Sequence, residues 1–251
     1  GVTYQLRDGA TDVGLPLVGN GGDLSFSVSP TTTTNYTIYV ALCNMTYADE
    51  GIVTIKPIPN ATATNSSQEI CSGNNIAAMN FSGAVIGTTY SWTRDNTTNV
   101  TGINASGSGN ITGSLTNTTN TIQVVTFTIT PTENGCDGTP ITTTVTINPT
   151  PDASTVTATQ SICSGENITD IVFTGNVAGT QFNWTRNNTA TVPGIAASGN
   201  GTITGTLTNS STIPRTTTFT VTPTANGCDG TPITVSVTVN PAVIASSSNP
   251  N

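Results

Sequence analysis

A block of nine residues, Asn134 to Thr142 (NGCDGTPIT), returns letter for letter at Asn226 to Thr234, 92 positions later. A repeat of that length means one folding unit used again, so the unit's own pattern decides the architecture. Around the first copy Val125, Phe127 and Ile129 alternate with threonines, and Ile141, Val145 and Ile147 do the same after it. Around the second copy Phe219, Val221, Ile233, Val235, Val237 and Val239 keep the alternation. Period two with one apolar face describes a half-buried strand. Asn-Gly between two such runs, both residues tolerating positive φ, describes a tight hairpin.

Laid over itself at an offset of 92 from Asn60 onward, the chain matches at about fifty of ninety positions without a gap. Two complete repeats follow, 60–149 and 152–241. Each closes on Asn-Pro, at Asn148-Pro149 and Asn240-Pro241, where proline ends the last strand and stiffens the joint. The linker Thr150-Pro151 is short enough to leave the repeats little freedom. Each repeat reads as about seven strands, in the first near 61–70, 76–81, 89–94, 100–103, 111–116, 124–130 and 141–147, interrupted by Gly-rich stretches such as 102–113. No helical period appears. The expected fold class is therefore all-β, a tandem array of antiparallel β-sandwiches.

Gly1 to Leu6 (GVTYQL) aligns with Gly87 to Trp92 and with Gly179 to Trp184. Residues 1–59 then form a partial repeat that lacks its early strands, with Tyr36, Ile38 and Val40 as the counterpart of the Phe127 strand. Residues 242–251 begin a further repeat. The expectation is a window on a longer array. Its rival is a head-to-tail polymer in which one chain's tail completes the next chain's open sheet.

Charged residues make up only 7% of the chain, with a net charge of −8 and a pI near 4.1. Few ion pairs can form, and nucleic acid or an anionic membrane is not expected as a partner because both need clustered Lys and Arg. No apolar run approaches a membrane span. The chain has no histidine, which removes the Ser-His-Asp, Cys-His and His-metal arrangements. Asp137 and Asp229 recur, but in the turn, where Asp bonds its own backbone. With no catalytic carboxylate pair, neither an enzyme nor a cofactor is expected. Zinc needs four ligands and each complete repeat offers two cysteines. Asp152, near the joint, has no acidic cluster for calcium. Lysine is absent from both complete repeats, so Lys-Asn isopeptide staples cannot form there.

Five cysteines remain: Cys43, Cys71, Cys136, Cys163 and Cys228. Cys71 to Cys136 and Cys163 to Cys228 share one spacing, which predicts one disulfide per repeat in an oxidising compartment and leaves Cys43 unpaired. A second pairing, Cys43 with Cys71 and Cys136 with Cys163, would staple neighbouring repeats. Spacing alone does not separate them, and the intradomain pairing is the expected one because a weakly charged sandwich gains from an internal staple. Trp92 and Trp184 lie between the cysteines and, with Phe127 and Phe219, are expected in the core, although tryptophans there could instead line a sugar-binding face. Arg94 and Arg186 cap the core rim. About fifteen Asn-X-Ser/Thr sequons occur. Only Asn117 and Asn209 form one at equivalent positions, which makes them the candidate glycosylation sites.

Ile70 to Gly73 and Ile162 to Gly165 (ICSG), Trp92 to Arg94 and Trp184 to Arg186 (WTR), Asn134 to Cys136 and Asn226 to Cys228 (NGC), and the closing Val-Thr-x-Asn-Pro resemble the PKD-like, immunoglobulin-like repeats of large cell-surface proteins of Bacteroidota. That resemblance implies export across the outer membrane and display outside the cell as an adhesin, gliding-motility filament or fibre. The function it implies is structural: a stalk or filament segment whose partners are neighbouring repeats or other copies of the chain. A module binding surface glycans is the alternative. The cysteines depart from the antibody pattern, since Cys71 precedes its strand and Cys136 lies in the hairpin.

Overall fold

The structure, a computed structural model, describes residues 2–42 and 45–242. Cys43 lies outside the described residues, as does nearly all of the 242–251 segment. The chain is all-β, built as tandem antiparallel sandwiches, with no helix among the described residues.

The first part of the chain holds β1 (Thr3–Asp8), β2 (Thr11–Val18), β3 (Thr34–Leu42) and β4 (Met45–Val53). Next come β5 (Thr62–Ala63), β6 (Ser67–Cys71), β7 (Phe81–Ser82), β8 (Thr89–Arg94), β9 (Val100–Gly102), β10 (Ser106–Ser108), β11 (Leu115–Asn117), β12 (Gln123–Glu133), β13 (Cys136–Asp137) and β14 (Ile141–Asn148). The last stretch holds β15 (Thr159–Cys163), β16 (Gln181–Arg186), β17 (Ser198–Asn200), β18 (Arg215–Ala225), β19 (Cys228–Asp229) and β20 (Ile233–Asn240).

By compactness the chain divides into two units. One comprises Gly1–Asn60, Gly83–Thr89 and Pro131–Thr139, and the other Ala61–Ser82, Tyr90–Thr130 and Pro140–Asn251. In the first unit a four-stranded sheet runs β2-β1-β3-β4. Leu6 and Tyr36 are buried on it, and Arg7 bonds Asp12 at 2.7 Å while its guanidinium lies 3.9 Å from the centre of the Tyr39 ring. This order places β1, β3 and β4 as β8, β12 and β14 stand in the following repeat.

In the second unit two sheets carry the same plan twice, β10-β8-β12-β14-β6 and β17-β16-β18-β20-β15. Val125, Phe127 and Ile129 of β12 and Val145 and Ile147 of β14 are buried against Trp92, Val100, Ile111 and Leu115. Phe219, Val221, Val235, Val237 and Val239 meet Trp184, Val192, Ile203 and Leu207 in the second core. Each large side chain fully withdrawn from water contributes roughly 1.5–3 kcal/mol. The residues between these core-facing ones, Thr126, Thr128, Thr144 and Thr146 and then Thr218, Thr220, Thr234, Ser236 and Thr238, are half-buried or exposed, while Thr143 and Thr217 take core-facing positions and are buried. Threonine suits a pleated strand because it is β-branched.

The structure differs from the sequence expectation at several strands. The strand expected over 61–70 is split into β5 and β6 by Asn65, whose φ of 51° turns the chain. Of the strand expected over 76–81 only Met79, bridged to Ile111 and fully buried, and Phe81 in β7 are paired, and the strand expected over 111–116 is reduced to β11 with isolated bridges at Ile111 and Ser114. A short strand, β10, forms inside the Gly-rich stretch and lies on β8. One pairing in each complete repeat is also parallel: β6 runs alongside β14, and β15 alongside β20.

Candidate functional site at the joint between repeats

The repeated nine-residue block is a hairpin tip. Asn134 and Gly135 have φ of 51° and 77°, Asn226 and Gly227 of 50° and 73°, so both pairs make the two-residue turn that Asn-Gly favours. The turn brings Glu133 opposite Cys136 and Ala225 opposite Cys228. Asp137 and Asp229 are structural, but through a side chain rather than their own backbone. Thr132 donates to Asp137 Oδ1 at 2.7 Å and Thr224 to Asp229 Oδ1 at 2.8 Å.

The second hairpin meets the end of the preceding repeat. Cys228, buried, is bonded to Cys71, with Cα atoms 5.6 Å apart and a sequence separation of 157. Cys136 and Cys163 are free thiols, half-buried and exposed respectively. This corrects the expected pairing of Cys71 with Cys136 and Cys163 with Cys228, and equally the alternative of Cys136 with Cys163. Cys71, the last residue of β6, pairs in register with Asn148 at the end of β14, whereas Cys136 belongs to the hairpin that precedes the start of β14; the cysteine that reaches Cys71 is the one in the hairpin of the next repeat.

Around that bond the joint is polar and tight. Asn148, only 2% exposed, donates from Nδ2 to Glu69 Oε1 at 2.7 Å and to the Asn226 carbonyl at 3.0 Å. The Asn148 carbonyl accepts from the Ser72 amide at 2.9 Å, which holds the residue after Cys71 against β14. A Cβ on Gly230 would stand 1.8 Å from the Pro151 carbonyl oxygen, so the hairpin presses directly on the linker. The first unit repeats the arrangement. Lys56 Nζ donates to the Asn134 carbonyl at 2.9 Å, and a Cβ on Gly138 would stand 1.8 Å from the Pro59 carbonyl oxygen. Lys56 and Asn148 are one period apart, as are Pro59 and Pro151.

The other sequence candidates lie away from the joint. Trp92 and Trp184 are 9% and 7% exposed, packed edge-on against the buried Phe127 and Phe219 with ring centres 5.8 and 5.6 Å apart. Gly107 and Gly199 cover the indole rings, so neither ring presents an open face to a sugar. Arg94 and Arg186 are tied to loop carbonyls. Arg94 Nε donates to Ile103 O at 2.7 Å, and Arg186 reaches Ile195 O at 2.9 Å and Val192 O at 2.8 Å. Burial away from water pushes both guanidinium groups below the ordinary arginine range, with Asp95 partly opposing the shift at Arg94.

Asn117 and Asn209 are buried, and their amides are already used. Asn117 Nδ2 donates to Thr121 O at 2.7 Å and Ile147 O at 3.1 Å, and Asn209 Nδ2 to Ile213 O and Val239 O, both at 2.8 Å. A glycan would replace one of those hydrogens, so neither sequon fits a glycosylation site in the folded chain. Among the described residues no group of three or more Cys, Asp or Glu is gathered for a metal ion, and no helix is long and apolar enough to cross a membrane.

Sequence reasoning missed Asn148, Gly138, Gly230 and Lys56. The signal was present in the Asn-Pro that closes both repeats and in the second glycine of the block, but both were read as local punctuation.

A profile of the PKD-like domain matches residues 68–151 and again residues 160–243. No curated protein matches the chain. Among solved structures it is similar to a three-immunoglobulin-domain segment of titin in an E-to-A variant, at 7% identity over 96% of this chain and 88% of that one, with a TM-score of 0.49. It is also similar to three extracellular domains of mouse cadherin-23, at 15% identity over 96% and 86%, with a TM-score of 0.38. A third is the three N-terminal domains of the bacteriophage RB49 outer capsid protein Hoc, at 9% identity over 96% and 89%, with a TM-score of 0.39.

Proposed function

This chain belongs to the PKD-like domain family, and from that premise we propose that it is a non-catalytic extracellular region, a stalk or filament segment of a large adhesin-like cell-surface protein. Its partners are neighbouring repeats or other copies of the chain. The observation that carries this reading is the Cys71–Cys228 bond, which joins one repeat to the next instead of closing a repeat on itself. A staple inside a domain protects that domain. A staple across a joint fixes how domains follow one another, which is what a spacer of set geometry requires. Such bonds persist in oxidising surroundings outside the cytosol.

Single-molecule stretching tests the proposal. With the bond intact, the chain between residues 71 and 228 is shielded from force applied at the ends. A separation of 157 residues corresponds to about 500 Å of extended chain. Stretched under oxidising conditions the protein should withhold that length and release it after reductant is added. If the oxidised chain yields the full length, the stalk reading fails.

A further inference from the structure

Cys163 stands one 92-residue period beyond Cys71 and is held the same way. Cys71 lies opposite Asn148 in the parallel pair of β6 and β14, and Cys163 lies opposite Asn240 in that of β15 and β20. The amide after each cysteine donates to that asparagine's carbonyl at 2.9 Å: Ser72 to Asn148 and Ser164 to Asn240. The amide three residues on donates back to the cysteine carbonyl at 3.1 Å in both, from Asn74 and from Glu166. What differs is what covers them. Cys71 is bonded and Asn148 buried under the next hairpin, whereas Cys163 is an exposed thiol and Asn240 is half-exposed, its amide turned to Ser161 Oγ and the Ile162 carbonyl.

The hairpin side of the joint recurs independently. Lys56 and Pro59 meet the Asn134 hairpin as Asn148 and Pro151 meet the Asn226 hairpin. Docking of an Asn-Gly-Cys tip on the end of a preceding repeat is thus a periodic feature of the chain rather than an accident of one joint.

We propose that Cys163 is a cross-linking site: it forms a disulfide with the cysteine of an Asn-Gly-Cys hairpin in an adjoining repeat, reproducing the Cys71–Cys228 bond one period on. Adjoining repeats in series are what the stalk reading supplies, and the pairing rests on that reading. The hairpin can come from further along the same chain or from Cys136 of a second copy, and the chemistry is the same. A low-molecular-weight disulfide such as oxidised glutathione accepts the two electrons. The Cys163 thiolate attacks its S–S bond and displaces one thiolate, giving a mixed disulfide. The hairpin thiolate then attacks the Cys163 sulfur and displaces the other, so one S–S bond forms, one is reduced, and two protons leave the protein thiols.

Two preparations test this under a glutathione redox buffer, each mapped by non-reducing peptide mass spectrometry and by alkylation with iodoacetamide. One is the full chain. The other is the full chain with a further copy of residues 152–243 inserted after residue 243. In the lengthened chain Cys163 should become inert to alkylation and appear cross-linked to the cysteine of the inserted hairpin, within a monomer. Covalent dimers of the unlengthened chain joining Cys163 to Cys136 would identify a second copy as the source. In the lengthened chain Cys163→Ser should leave the cysteine of the inserted hairpin alkylatable while the Cys71–Cys228 peptide and the tryptophan emission stay unchanged. If Cys163 is alkylated equally in both preparations and no cross-linked peptide forms, the proposal is overturned. The stalk reading survives that result as long as the Cys71–Cys228 bond still withholds length under force.

Discussion

Glycine at 230 is required by what lies beneath it rather than by its own dihedral angles. The hairpin approaches the Pro151 carbonyl so closely that any Cβ would overlap it at 1.8 Å, and a backbone oxygen cannot swing aside as a side chain would. Gly230→Ala should therefore lift the tip off the linker and expose the bond it shields. The expected outcome is faster reduction of Cys71–Cys228 by dithiothreitol, followed as alkylation of Cys71, with the cores intact by tryptophan emission; an unchanged reduction rate would count against the close approach. At Asn209 the same scale of reasoning replaces a modification with a hydrogen-bond role. Its Nδ2 satisfies the carbonyls of Ile213 and Val239, and its Oδ1 accepts from the Ser211 amide at 2.9 Å. Asn209→Ala leaves those buried groups unpaired and should cost about 3 kcal/mol in urea unfolding. Secreted from a glycosylating host, the folded protein should carry no glycan on its Asn117 and Asn209 peptides. Arg186 shows why so weakly charged a chain retains a buried cation: the guanidinium ties the loop of Val192 and Ile195 to the end of β16. Because desolvation lowers its folded pKa, its charge costs stability at every pH below that pKa, and the cost is relieved only as pH rises through the window just under the ordinary arginine range. Arg186 therefore adds no pH dependence near neutrality.

Strands β10 and β17 show how an element can be present for the sake of one residue. Each is three residues long, and its central glycine lies on the indole of the neighbouring strand, where a Cβ at Gly199 would come within 2.2 Å of Trp184. Gly199→Ala must displace the ring or the strand. Overpacking of this kind costs about 1–3 kcal/mol, and it should appear as a lower urea midpoint with a red-shifted Trp184 emission in a Trp92→Phe background. Unchanged emission and midpoint would show that the strand yields freely. The sequence could not reveal β10, because a Gly-Ser run has no apolar alternation, whereas β12, β14, β18 and β20 were legible because their core-facing residues fall strictly on every second position. Partner direction was not legible either. Alternation in β6 reports which face is buried, not whether its neighbour runs parallel, and that direction is set by hydrogen bonds that any residue makes. The joint was half-visible. The hairpin followed from Asn-Gly, but the cysteine partner did not: the 157-residue separation of Cys71 and Cys228 equals the spacing of Cys71 and Cys136 plus one period. A repeat pattern therefore fits a bond within a repeat and a bond across the joint equally well.

Across the two complete repeats, the covalent joint should convert independent domains into one cooperative unit. Each repeat has its own core, around Phe127 and around Phe219, with no residue shared between them, so without the bond they should unfold separately, coupled only by the contacts of Asn148 and the linker. With Cys71 and Cys228 joined, opening either repeat alone creates a closed unfolded loop of roughly half the 157 residues, which by the chain-entropy model is disfavoured by about 4–5 kcal/mol. Opening the second repeat only doubles the loop, and doubling adds only about 0.6 kcal/mol. Nearly the whole constraint therefore falls on whichever repeat opens first, and the second then opens against little more than its own folding free energy. The full chain carries one tryptophan in each repeat, so Trp92→Phe and Trp184→Phe variants report the repeats one at a time. Under oxidising conditions the two urea transitions should coincide. In the Cys71→Ser/Cys228→Ser double variant they should separate, and both should move to lower urea. Separate transitions in the oxidised protein would mean that the bond does not couple the repeats.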